Sequence, residues 1–235
     1  MKKEGDGNLL ERWDSVARLN IKLYNSPFLE LVLNKFKDFK IDWGKIEQRL
    51  EWAQNIKNKN HFVGLVGEEI LNMYLQRAAQ LYPLRIKFGA IPHFSETENY
   101  KFLKNGNRTE ITNKNSMNKA SITDIDSICL FDGIPIIWET KLIPEDVRKP
   151  IVYRQSVQMI TDAIGPSSLA RVIYPVRELF GQTPGFVLIG EVLPNNRTEI
   201  FKNFERIGGK IVNFPESRAK IYHRIKELIL NKNIS

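Results

Sequence analysis

Asp126, Glu139 and Lys141 are the residues whose types and spacing point most directly to chemistry. The two carboxylates are thirteen positions apart, and the lysine follows Glu139 by two. Between the acids runs Ser-Ile-Cys-Leu-Phe-Asp-Gly-Ile-Pro-Ile-Ile-Trp, most of it apolar. Two carboxylates and an ammonium beside such a run are costly to bury unless something pairs them. A divalent cation is the natural partner, because hard ions such as magnesium take carboxylate oxygens and keep several waters. The lysine can then polarise or deprotonate an attacking water, or stabilise developing negative charge.

The element that must position these groups is a β-hairpin over residues 122–142. Asp132-Gly133 is a strong hairpin-turn signal, with apolar β-prone runs from Ile125 to Phe131 and from Ile134 to Leu142. Strand side chains alternate faces. Glu139 and Lys141 therefore share one face of the return strand, and Trp138, Thr140 and Leu142 take the other. Asp126 meets Glu139 near the open end of the hairpin. Asp124 shares the face of Asp126 and stays open as the alternate acid, on a slightly longer hairpin. Strands this apolar predict a sheet covered on both faces. The plain alternative is a surface hairpin with a salt bridge between Glu139 and Lys141 or Asp126; the Ile-Ile-Trp run before the glutamate argues against it.

An acid on one strand followed by Glu-Thr-Lys at 139–141 on the next resembles the PD-(D/E)XK nuclease superfamily. The proline of the family name is absent, since Ile125 precedes Asp126. The resemblance implies a restriction-endonuclease-like α/β fold, a mixed β-sheet flanked by helices in the order αβββαβ. It also implies hydrolysis of DNA phosphodiester bonds with Mg²⁺, for which Mn²⁺ substitutes. Asp126 and Glu139 would hold the metal, the carbonyl of Thr140 would add a ligand, and Lys141 would serve the hydrolytic water. Many members carry a further acid in the first core helix, often after glycine, and Gly67-Glu68 matches that pattern. Glu68 also lies on one helical stripe with Leu71, Leu75 and Ala79, where a carboxylate needs a reason. Glu69, about 100° around the helix, is the rival; for either, a helix-start acid favoured by the dipole is the bland account. Compact size and a short hairpin are similar to Holliday-junction resolvases and related nucleases of mobile elements and viruses. Those are commonly dimers, which makes a homodimer the expectation here. A repair exonuclease or restriction endonuclease of the same superfamily is the alternative. A non-catalytic DNA-binding protein, or an unrelated α/β interaction protein, represents the other classes.

Composition agrees with a soluble globular chain. Of 235 residues, 42% are hydrophobic and 26% charged. No apolar run approaches a membrane span, and the first residues lack the apolar core of a signal peptide. The single cysteine, Cys129, lies in a predicted strand and has no partner for an internal disulfide. These features point to the cytoplasm. The net charge of +8 favours polyanionic partners.

Periodicity sets a helical N-terminal extension, 1–60, apart from residues 61–235, which the resemblance implies are the nuclease domain. Leu9, Leu10, Trp13, Val16, Ala17 and Ile21 fall at helical spacing. Ser26-Pro27 opens a helix over 28–39, and Asp42 caps a third from Trp43 to about Asn58. A longer helix spans 62–82, and a first core strand runs from Leu84 to Phe94. Residues 95–121 read as a long polar loop whose Lys101, Lys104, Arg108, Lys114 and Lys119 suit a DNA-contacting flap, or else a solvated insertion. A helix over 151–163 carries Arg154, Gln155 and Gln158. Another, capped by Ser167 or Ser168, runs to Phe180. Strands at 185–193 and 210–214 and helices at 198–207 and 217–230 complete the chain. His61, His93 and His223 show no zinc spacing, and no phosphate-binding glycine loop is present.

Overall fold

A computed structural model describes residues 21–55, 59–105, 108–115, 121–142, 158–190 and 199–231. The helical periodicity of 9–17, Lys119 of the polar loop, and Arg154 and Gln155 of the helix expected over 151–163 lie outside these residues.

The chain is α/β, and its described residues form two sheets. A mixed five-stranded sheet has the order β1-β6-β7-β8-β9: Ile86–Phe88, Ser127–Phe131, Ile134–Lys141, Gly185–Gly190 and Lys210–Val212. The first three strands pair antiparallel; β7, β8 and β9 run parallel. An antiparallel four-stranded sheet, in the order β2-β3-β4-β5, is inserted between β1 and β6: Phe94–Glu96, Tyr100–Asn105, Arg108–Asn113 and Ser121–Ile125.

This second sheet replaces the polar loop expected over 95–121. Its strands alternate, with Phe102, Ile111 and Ile125 buried and Lys101 and Asp124 exposed. One apolar face of three or four residues is enough to fix such strands against a core. The first core strand is also shorter than expected, because Phe94 already belongs to the second sheet.

The apolar β6–β7 hairpin forms as its sequence demands. Asp132 and Gly133 both take positive φ, 50° and 84°, as a tight two-residue turn requires. Arg85 grips the turn, with Nε 2.8 Å and Nη2 2.6 Å from the Asp132 carboxylate. Alternation then sends β7 side chains to two different cores. Ile136 and Trp138 pack with helices α1 (Pro27–Lys37) and α3 (Lys59–Leu81). Ile137 packs with α4 (Pro166–Phe180), α5 (Glu199–Arg206) and the second sheet. The sheet is covered on both faces, which explains its near-continuous apolar strands.

Helix α1 belongs to this packing: Phe28, Leu29, Val32, Leu33 and Phe36 share a cluster with Leu71, Phe131 and Trp138. Asp42 caps α2 (Trp43–Arg49), which ends well before Asn58; a 3-10 turn, Glu51–Asn55, follows. The shorter helix lets Leu50 and Ala53 reach the cluster that holds Ile46 and the C-terminal helix α6 (Arg218–Asn231). Residues 158–164 are helical. Gly165, not a serine, is the N-cap of α4, and Pro166 supplies its first turn.

Candidate functional site

Asp126 stands at the junction of the two sheets. β5 ends at Ile125 and β6 begins at Ser127, so the apolar run that reads as one strand is broken at the acid. The pairing of Ser127 with Trp138 puts Asp126 opposite Glu139. Asp126 Oδ2 accepts from the Thr140 amide at 2.7 Å and from the Thr140 hydroxyl at 2.8 Å. Those two donors hold the carboxylate against the end of β7, and Oδ1 accepts no hydrogen bond from a described residue. Two positions along β7 from Glu139, the Lys141 ammonium donates to Glu139 Oε1.

Helix α3 brings in Glu68. It crosses β7 at Gly67, where an added Cβ would lie 3.7 Å from Thr140 Oγ1 and 3.8 Å from Leu142 Cβ. The next residue, Glu68, reaches the cluster and acts on Asp126. Glu68 is 6% exposed and is held by Arg108, whose Nε and Nη2 donate to its two carboxylate oxygens. Arg108 also donates to Asp124 Oδ2 at 3.2 Å. Asp124 is thus placed on the second sheet, half-exposed. Glu69 turns away to Arg49, 3.2 Å off.

The structure therefore gathers Asp126, Glu139, Thr140, Lys141 and Glu68, with Asp124 at the rim. Sequence reasoning placed Arg108 in a flap and missed it as a member of the cluster; no local pattern singles it out. It also passed over Asn72, fully buried one turn beyond Glu68 on α3, with neither amide atom hydrogen-bonded among the described residues. The polar residue four positions after Glu68 on an apolar stripe was the signal.

The electrostatics follow from crowding. Burial raises the Asp126 carboxyl, and the Glu68 carboxylate raises it further. Burial and Asp126 push Glu139 up to about 8, against the pull of Lys141. Burial alone would lower Lys141, but Glu139 and Asp126 outweigh it and keep the ammonium charged. Four carboxylates face two cations, Arg108 and Lys141. An excess of carboxylates, hard oxygen donors, over cations fits a magnesium-like ion. Among the described residues, however, no three His, Cys, Asp or Glu side chains are placed as they stand to ligate one ion. The arginine fork on Glu68 is consistent with that.

Neither a family model nor a curated protein sequence matches the chain. Among solved structures, protein VC1899 from Vibrio cholerae is similar at 13% identity with a TM-score of 0.29. The match covers 97% of this chain and 53% of that one, so this chain spans about half the length of VC1899. A likeness this slight carries no weight for fold or function. Among the described residues, no helix is long and apolar enough to cross a membrane.

Proposed function

We propose that this chain is a divalent-cation-dependent nuclease that hydrolyses DNA phosphodiester bonds, with a restriction-endonuclease-like core built from α3, β1, β6, β7, α4 and β8. The observation that carries the proposal is the pairing of buried Asp126 with partly buried Glu139, set opposite each other across β6 and β7 with Lys141 on Glu139. Asp126, Glu139 and the Thr140 carbonyl would hold the ion, with Glu68 as a further carboxylate. Such an ion, when bound, lowers the pKa of an attacking water and neutralises charge on the phosphate.

The chain's own residues do the rest. Thr140 fixes Asp126 through two hydrogen bonds, so one carboxylate oxygen stays aimed away from β7. Lys141, kept charged by its neighbours, orients a water or stabilises charge on the phosphoryl oxygens; in this state it has no free lone pair to act as a base. The chain's net charge of +8 supports a polyanionic substrate.

Labelled single-stranded, duplex, flap and four-way-junction DNA, incubated with Mg²⁺, Mn²⁺ or EDTA, tests this. Cutting that needs the cation and is lost in Glu139→Ala is the expected result. No cutting of any substrate, with DNA still bound, would favour a non-catalytic DNA-binding protein. Absence of both cutting and DNA binding would refute the proposal.

A further inference from the structure

Arg108 links two elements that join the core at different points. It is the first residue of β4 and pairs with Asn105 across the β3–β4 hairpin turn, so it rides near the tip of the second sheet. Glu68, its partner, sits on α3. The Glu68 side chain is 8% exposed and that of Arg108 35%, so the guanidinium closes over the carboxylate from the solvent side. Both Glu68 oxygens are taken, one by Nε at 2.9 Å and one by Nη2.

A carboxylate gripped by a guanidinium fork on both oxygens has little left to offer a metal ion. Stripped of the fork with nothing in exchange, it would be a bare buried charge, which is strongly unfavourable. Loss of one cation and gain of another are therefore coupled at Glu68. The same planar fork fits a phosphate as well as a carboxylate. Asp124, its side chain 53% exposed, holds Nη1 from the solvent side, independently of Glu68.

We propose that Arg108 is an internal cation occupying Glu68 in the resting site, and that Glu68 becomes available to a divalent ion only when the guanidinium turns outward to a phosphate of the nucleic-acid substrate. This rests on reading the cluster as a metal-dependent nuclease site. Arg108 then has opposite effects on two steps. It opposes cation binding in the free protein and favours the substrate-bound state.

Calorimetric titration of Mn²⁺ into the full chain without nucleic acid separates the possibilities. Arg108→Gln should bind Mn²⁺ about tenfold tighter than wild type, the size of an ordinary coupling between sites. The gain should vanish when Glu68→Gln is added. At saturating Mn²⁺ the same Arg108→Gln variant should cleave DNA at least tenfold more slowly. Arg108→Lys, whose ammonium cannot fork, should show a smaller gain in the same direction, and it carries the test if circular dichroism finds Arg108→Gln unfolded. Equal or weaker Mn²⁺ binding in the variant, or a gain that survives Glu68→Gln, would overturn the role of Arg108. If wild-type Mn²⁺ binding were still lost in Glu139→Ala, the metal-site reading would stand. Failure of wild type and both arginine variants to bind Mn²⁺ would sink the metal-site reading as well.

Discussion

Glu139 and Asp126 meet burial in different ways. Asp126 has two neutral donors from Thr140 fixed on one oxygen, whereas Glu139 relies on the Lys141 ammonium. Burial and the neighbouring Asp126 raise the Glu139 carboxyl from an ordinary value near 4.5 to about 8. Between those values the folded chain holds a proton that the unfolded chain has released. Stability should therefore fall as pH rises through that window and level off above it. Glu139→Gln removes the titration while keeping the shape. Urea denaturation at pH 5 should find the variant close to wild type, and at pH 8 clearly more stable. Saturating Mg²⁺ should close the gap at pH 8 by stabilising only the wild type. A stability difference that is flat from pH 5 to 8 would show that the carboxylate is not under this strain. A residue that weakens the fold at the pH where it would work is a common mark of a functional position.

Two glycines three residues apart on α3 show what an element demands and what it merely tolerates. Gly67 faces β7, with Phe214, Thr140 and Leu142 between 3.6 and 3.8 Å from an added Cβ; Gly64 has nothing within 4 Å. Gly64→Ala should stabilise the protein by about 0.5–1 kcal/mol, since a helix-interior glycine gives up backbone entropy without compensation. Gly67→Ala should be close to neutral in packing, but Gly67→Leu must lever α3 off the strand and should cost about 1–3 kcal/mol. Urea titrations of these three variants and of Gly64→Leu check this; equal effects of leucine at 64 and 67 would show that the crossing is not tight. Sequence spacing could not separate the two glycines, because only the helix–strand contact does. The same limit explains the other mismatches. The β6–β7 hairpin was legible because Asp132-Gly133 and two apolar runs are local signals. The break at Asp126 was hidden, since Ile125 on one side and Ile128, Cys129 and Phe131 on the other are buried and β-prone. The second sheet was hidden because its strands bury few residues, Phe102, Thr109, Ile111 and Ile125, among lysine, threonine and asparagine, which is also the composition of a loop. Arg108 entered the cluster through tertiary contact alone, forty positions from Glu68.

At the scale of the whole molecule, the two sheets, α3 and the acidic cluster meet around Asp126, so the site and the global fold should be thermodynamically linked. The chain's single cysteine offers a way to measure that link. Cys129 lies in β6 between β1 and β7, fully buried, opposite Phe88 on one side and Ile136 on the other. Burial pushes its thiol up to about 12, so at pH 8 the native side chain is both inaccessible and protonated. Reaction with a thiol reagent must wait for the central sheet to open. When reclosing outruns labelling, the labelling rate reports the equilibrium population of the open form. An ion bound only by the native cluster lowers that population by the factor 1 + [ion]/Kd. Labelling of wild-type protein should therefore slow in proportion to added Mn²⁺ once the ion exceeds its Kd, and Glu139→Ala should remove the effect. Roughly tenfold slowing is expected at ten times Kd. Labelling that is fast in native protein would contradict the buried position of β6. Slow labelling that Mn²⁺ leaves unchanged would instead detach the cluster from cation binding while leaving the sheet intact.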